Sequence, residues 1–522
     1  LLMKPSRRKP VFQETPDLKK ARTLFVRQEY QKSLKLFEKV VRKQPHNILA
    51  LTDAARAHGQ RYELETALRF IRQILKITGG NARGLLLAGQ SLRMSHRQEE
   101  ALHTLEKAQA ADPSNHDVHL ELAVLYERRH QLELALESIN QFLAIVPDQS
   151  EGMLLKARTL RRMGETEEAK RIYEGLTTGS SSPLQTKAQA ANEWAHLLDS
   201  QGSYDEAFDK LLESKRIMTR VTEFSQAVER SKLEQSWASH FNESLTQSHL
   251  EDWTARRSGA GEKSILLTGC PRSGTTLIEK ILDAHPEIVS ADELGAFTDY
   301  IFPALIKGHR DEKGFFNAAT LEGIPLPRLV GQEKRYRKYL EAAIDQKVGD
   351  RYLVDKNPSV TQYIAATLRL WPQNRILYAL RDPRDIAVSC FFRWLPINSV
   401  SVRFTSFEET CRRTEEELSC WGRLRDIIPQ ERWMETRYED TVADYEGEAR
   451  RLLSWMDLEW DDSIVGYRDH LRERGVNSPT YEAVNQPIYT QALERWKNYQ
   501  GQIEKHFSIL EPAMDKFGYS EK

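Results

Sequence analysis

Pro45, Gly79, Pro113 and Pro147 stand at equal intervals of 34 residues. The same interval carries Ser33, Ala67, Ala101, Ala135 and Ala169, and a second small-residue series runs twelve positions earlier through Ala21, Ala55, Gly89, Ala123 and Ala157. Small residues at fixed places let paired helices approach closely, and Pro or Gly near the end of each period stops one helix before the next begins. The period therefore predicts helical hairpins stacked in an array. After an insertion around Gly179 to Pro183 the pair returns as Ala195 and Ala207, again twelve apart, which makes about six repeats.

Segments such as LAVLYERRHQLELALESINQFLAIVPD carry small, aromatic and Pro positions that resemble tetratricopeptide repeats, over residues 14–219. The resemblance implies an all-α solenoid whose concave surface binds a protein or peptide, ahead of a role as spacer or dimerisation arm. Residues 220–262 read as a helical linker that loosens at Ser258 to Gly261.

Lys plus Arg total 75 and Asp plus Glu total 76, a net charge of −1, which argues against a dominant nucleic-acid footprint. No apolar run approaches the roughly 18 residues of a membrane span. Cys270, Cys390, Cys411 and Cys420 form no CxxC pair, so neither a disulfide framework nor a cysteine zinc site is expected, and a reducing, cytoplasmic compartment is. Lys4, Arg7, Arg8 and Lys9 precede no apolar stretch and read as a disordered basic tail over residues 1–13. Met3 follows Leu1 and Leu2, so residues upstream of the given sequence are expected.

SILLTG, residues 264–269, reads as a buried strand, and TTLIEKILDAHP as a helix ended by proline, with CPRSG between them. This order sets the backbone N–H groups of Arg272 to Thr276 at a helix N-terminus, where donors and dipole favour phosphate or sulfate. Gly269 and Gly274 are spaced as in GxxxxGK[ST], but Thr275 stands where that motif needs the lysine that cradles β and γ phosphates. ATP or GTP hydrolysis is accordingly demoted.

PRSGTTL and RDPRDIAVS, in this order, resemble the 5′-phosphosulfate loop and 3′-phosphate segment of sulfotransferases that use 3′-phosphoadenosine 5′-phosphosulfate. With AHPEI and VDKNPS between them, residues 263–520 most closely resemble protein-tyrosine sulfotransferases and bacterial relatives fused to tetratricopeptide repeats. The resemblance implies a solenoid followed by an α/β, P-loop-like sulfotransferase domain with a central parallel sheet.

It assigns the phosphosulfate cradle to Arg272, Ser273, Gly274, Thr275 and Thr276, the catalytic base to Glu293 with Asp292 as neighbour, and transition-state stabilisation to Arg272 and Lys356, which Asp355 could orient. It assigns the 3′-phosphate to Arg381 and Ser389, with Arg393 as a further cation. Tyr438, Thr480 and Arg495 match positions that contact or close over the donor. Asp382 and Arg384 fit a salt-bridged helix start, His285 a structural turn, and Trp496 packing. A carboxylate is a weak base toward a phenol, so Glu293 needs its basicity raised or its proton uptake coupled to attack.

The tyrosine enzymes carry an arginine after their catalytic glutamates, where this chain has Leu294, Gly295 and Ala296. The cation for an acidic peptide is therefore absent from that stretch. Fourteen histidines lie without HxxxH spacing, and no metal is expected. The resemblance implies sulfuryl transfer to an acceptor hydroxyl, first a protein or peptide tyrosine captured by the repeats, alternatively a carbohydrate or small molecule. A noncatalytic scaffold with a nucleotide-binding domain is the third reading.

Overall fold

The computed structural model describes residues 9–27, 29–309, 317–358, 360–467 and 492–520, with the backbone alone over 238–242. The chain divides into two compact units, Leu1–Ile172 and Tyr173–Lys522. Among the described residues, no helix is long and apolar enough to cross a membrane.

The first unit is built of successive α-helices of the predicted period, beginning Pro16–Val26, Tyr30–Lys43, Ile48–Gln60 and Leu64–Thr78. Ala21, Ser33, Ala55, Ala67, Ala101, Ala123, Ala135 and Ala157 are fully buried. Their small size is a steric requirement: a Cβ on Gly89 would lie 2.6 Å from Leu105 Cγ. Ser33 Oγ donates to the Ala21 carbonyl over 2.7 Å, which ties the two small-residue series to each other. Gly79 closes its helix in the left-handed conformation with φ 65°.

The expected tail extends too far. Val11 N–H donates to the His46 carbonyl (2.9 Å) and the Val11 carbonyl accepts from Ile48 N–H (2.7 Å). These backbone bonds, with the Arg83 guanidinium 3.7 Å from the Phe12 ring centroid, order the end of the segment read as disordered.

The second unit opens with the helices Leu184–Ser200 and Tyr204–Met218, which pack as a hairpin. Ser214 Oγ donates to the Ala188 carbonyl over 2.6 Å, a second serine-to-alanine tie between paired helices. The helices Phe224–Glu243 and Gln247–Arg256 occupy the stretch read as a linker. That stretch is anchored in the unit: Trp253 is fully buried and its indole N–H donates to Glu322, while Arg257 donates to the Leu370 carbonyl and pairs with Glu333.

Five strands form one sheet: β1 (Ser264–Gly269), β2 (Ile288–Ala291), β3 (Tyr352–Lys356), β4 (Arg375–Leu380) and β5 (Trp433–Arg437). Their order is β2-β3-β1-β4-β5 and all four pairings are parallel. Helices cover both faces of a parallel sheet, which explains why β1 to β3 are buried throughout. From β1 the chain runs outward to β2 and returns through β3. It then crosses β1 to β4, so the connections part on either side of β1 at the carboxyl edge, where open α/β sheets bind ligands.

Candidate active site

Each strand contributes to one site at that edge. The loop after β1 enters the helix Thr275–Asp283 through Gly274, whose φ of 99° is left-handed. A Cβ there would sit 2.6 Å from Tyr438 Cδ2, so both the turn and the close approach of the residue after β5 require glycine. Arg272 also has positive φ, 72°, an unfavourable conformation for a residue with a side chain. Among the described residues no side chain caps this helix, and the buried Ser273 Oγ has no hydrogen-bond partner. Uncapped first-turn N–H groups, a helix dipole and an unsatisfied buried hydroxyl fit an anionic group.

Arg272 Nε donates to Ser389 Oγ over 2.9 Å, and Arg381 donates to the Arg272 carbonyl over 3.1 Å. The loop after β1 and the helix Pro383–Phe392 after β4 are thus joined directly. The Arg381 guanidinium lies 4.6 Å from the Tyr438 ring centroid, donates to the Ala492 carbonyl and is 3.5 Å from Asp385. Arg272, Ser273, Arg381, Ser389 and Tyr438 therefore surround one region.

Lys356 ends β3 with its side chain fully buried. Its ammonium lies 2.8 Å from Asp292 Oδ1, 2.9 Å from Glu293 Oε1 and 3.4 Å from Glu279 Oε2. Burial works against the charge, but Glu279, Asp292 and Glu293 outweigh it and hold the group well above the usual lysine value. Burial likewise opposes ionisation of Asp292, and the Lys356 and Lys280 ammonium groups overcome it, holding this carboxyl well below its usual range. Glu293 is the more accessible acid, with 32% of its side chain exposed against 20% for Asp292. Asn357 Nδ2 donates to the Leu294 carbonyl over 3.0 Å, tying the segment after β2 to the end of β3.

Asp355 does not orient Lys356. Successive residues of a strand face opposite sides, and Asp355 accepts a hydrogen bond from the buried Tyr336 hydroxyl, while burial pushes its carboxyl up to about 6. Asp382 and Arg384 form the helix-start pair that the sequence predicts, 2.6 Å apart, with Asp382 accepting from Arg384 N–H. His285 is a turn residue: its Nδ1 accepts from Glu287 N–H and its Nε2 lies 3.1 Å from the Glu459 carbonyl. Trp496 is buried against Arg384 and Phe507.

Arg495 pairs with Asp199 Oδ2 at 2.9 Å and lies over Phe392. Arg393, just beyond its helix, receives a hydrogen bond at its carbonyl from Lys215 (3.3 Å). Thr480 lies outside the described residues.

Two contributors escape the motifs. Glu279, fully buried, receives a hydrogen bond from Ser290 and contributes the third negative charge at Lys356. Asp385 accepts from Glu494 N–H and Trp496 N–H, each over 2.9 Å, and fixes the segment that reaches Arg381. An acid at the fifth position of the helix Thr275–Asp283, on its buried face, is the only local signal for Glu279.

Residues 264–462 match the model of the sulfotransferase family, and residues 86–150 match that of the tetratricopeptide repeat. The chain thus matches the tetratricopeptide repeat in its first half and the sulfotransferase family over residues 264–462. An uncharacterized protein of Aquifex aeolicus (strain VF5) is 23% identical over 441 residues, covering 83% of this chain and 55% of that protein, so the chain spans about half that relative's length. Protein-tyrosine sulfotransferase 2 of Gallus gallus is 24% identical over 268 residues, 49% of this chain and 69% of the relative. The solved sulfotransferase domain from the curacin biosynthetic pathway is 17% identical, covers 49% of this chain and 97% of its own, and has a TM-score of 0.34.

Proposed function

We propose that this protein transfers a sulfuryl group from 3′-phosphoadenosine 5′-phosphosulfate to an acceptor hydroxyl, with the phenol of a protein or peptide tyrosine as the acceptor. The observation that carries the reading is the buried Lys356 ammonium bonded to Glu293, at the end of the strand that pairs with β1, from which the Arg272 loop leaves. When bound, the donor supplies an activated sulfuryl group on a phosphate leaving group. Ser273, the N–H groups at Gly274 to Thr276, Arg381 and Ser389 would hold its phosphates, and Tyr438 borders them.

Glu293 accepts the acceptor's hydroxyl proton as the acceptor oxygen forms its bond to sulfur. The bond between sulfur and the bridging oxygen of the 5′-phosphate breaks, and its electron pair leaves on the nucleotide phosphate. Arg272 and Lys356 stabilise charge that grows on the sulfuryl and bridging oxygens, the place where oriented cations lower a barrier most. Glu293 suits the base role better than Asp292 because it is more exposed and Asp292 is strongly committed to its lysines. The tyrosine acceptor rests on the likeness to the tyrosine enzymes, and the repeats would hold the protein that carries it.

Calorimetric titration with 3′-phosphoadenosine 5′-phosphate against ATP tests the donor. Preferential binding of the bisphosphate, lost in Arg381→Ala, supports it, and absence of binding by folded protein overturns it. Turnover assays of Glu293→Gln and Lys356→Ala test the chemistry, with unchanged rates ruling out the assigned roles.

A further inference from the structure

The helix that bears Ser389, Pro383–Phe392, ends with carbonyl groups that have no partner within the helix, and such groups are costly to bury unsatisfied. Here they are met by side chains from nearly 200 residues away. Asn192 Nδ2 lies 3.0 Å from the Phe392 carbonyl and His196 Nε2 lies 3.1 Å from the same oxygen. Lys215 Nζ donates to the next carbonyl, that of Arg393. Asn192 and His196 are one turn apart on Leu184–Ser200, and Lys215 lies on its hairpin partner Tyr204–Met218, the pair in which the small-residue spacing of the repeats returns.

The same hairpin grips the chain on the other side of Arg381. Asp199 accepts from Arg495 and from the Tyr499 hydroxyl, and the Tyr204 ring meets the Tyr499 ring edge-on at 5.5 Å. Residues 492–496, immediately before, bond to Arg381 and Asp385. Ser389 lies one turn before Phe392 on a ten-residue helix, so the carbonyl clamp fixes the axial position at which Ser389 faces Arg272.

We propose that Asn192 and His196 are positioning residues for the donor's 3′-phosphate, acting through the Phe392 carbonyl to set the place of Ser389 and Arg381. The inference rests on the donor assignment made above. Neither side chain touches the donor. Their contribution is to hold a cationic and hydroxyl-bearing surface in register, a constraint that matters most for the phosphate bound there.

The test compares two nucleotides, 3′-phosphoadenosine 5′-phosphate and adenosine 5′-phosphate, by calorimetry on the full chain and its Asn192→Ala, His196→Ala and His196→Gln variants. A hydrogen bond lost at this carbonyl should weaken the bisphosphate about five- to tenfold and leave the monophosphate unchanged, shrinking the ratio between them by the same factor. His196→Gln, which retains a donor, should keep the wild-type ratio. His196 is only partly buried, so His196→Ala carries the test even if Asn192→Ala fails to fold. Equal weakening of both nucleotides, or a wild-type ratio in folded His196→Ala, overturns the positioning role. A wild-type protein with no preference for the bisphosphate instead overturns the donor assignment, so the two failures are distinct.

Discussion

Arg272 Nε donates a hydrogen bond to Ser389 Oγ over 2.9 Å, from the loop after β1 to the helix after β4. The contact links the element assigned to the sulfuryl end of the donor with the element assigned to its 3′-phosphate. Arg381 reinforces the link by donating to the carbonyl of Arg272. Loop and helix therefore cannot shift independently without losing charge-assisted bonds.

Ser389→Ala removes the acceptor of Arg272 and one proposed phosphate ligand together. Hydrogen bonds to charged groups contribute about 1.5–3 kcal/mol, so binding of 3′-phosphoadenosine 5′-phosphate should weaken about tenfold to a hundredfold. Titration calorimetry reads this directly, and an unchanged affinity would remove Ser389 from the site.

Lys356 is surrounded by three carboxylates and is fully buried, so its removal leaves an excess of buried negative charge for which Lys280, 3.8 Å from Glu279, only partly compensates. Lys356→Met should lower stability by about 3–5 kcal/mol, the range for breaking a buried pair from one side. Adding Glu279→Gln to Lys356→Met should recover part of that loss, because it lowers the excess of acids over the one remaining cation, Lys280. Urea unfolding of the two variants decides, and equal midpoints would show that Glu279 is not coupled to Lys356.

The site residues expected from the sequence lie in contiguous strand-end segments. Arg272, Lys356 and Arg381 each follow or end an apolar run, and a parallel sheet brings those ends together whatever the lengths between them. The periodic helices were legible for a similar reason, since a fixed repeat of small residues demands close packing. Contacts set by three-dimensional accident were not legible. Asp355 adjoins Lys356 in sequence, yet strand alternation turns it to Tyr336. Asn192 meets Phe392 across 200 residues with no motif at either end. Val11 reads as tail because its partners are backbone groups, which leave no compositional mark.

Gly274 is constrained twice, by φ of 99° and by Tyr438. Gly274→Ala should destabilise the fold by about 1–3 kcal/mol and weaken nucleotide binding. Tyr438→Ala in the same chain should relieve the clash but not the backbone strain, so it should return only part of the stability. Full recovery would assign the whole cost to the side-chain contact. Thermal unfolding of the single and double variants separates these costs.

Lys215 is buried, and burial pushes its ammonium down to about 7, with the neighbouring Cys390 only partly opposing it. Between pH 7 and the ordinary lysine value of 10.5 the unfolded chain therefore binds more protons at this position than the folded one. Its contribution to stability rises with pH across that window and is least favourable below it. The stability of wild type relative to Lys215→Met should climb from pH 7 to pH 10. A flat difference in urea midpoints over that range would mean that Lys215 stays charged in the fold.

The segment after β2 also carries a prediction about the acceptor. Asp292, Glu293 and Asp299 lie on it, Leu294 is buried, and Gly295 sits close to Asp299, since a Cβ there would be 3.1 Å from Asp299 Oδ2. An acceptor that approaches Glu293 thus meets exposed carboxylates at Glu293 and Asp299, while the cation bonded to Glu293 among the described residues, Lys356, is fully buried and committed to acids. Tyrosine peptides with acidic flanks should be poorer substrates than the same peptides with neutral or basic flanks, by several-fold in kcat/KM at low ionic strength. The gap should narrow with added salt, because exposed charges are screened within about 10 Å at 0.1 M. Asp299→Asn should narrow it at low salt as well. Kinetics on paired peptides at two salt concentrations provide the measurement, and a preference for acidic flanks would instead place acceptor recognition on another surface.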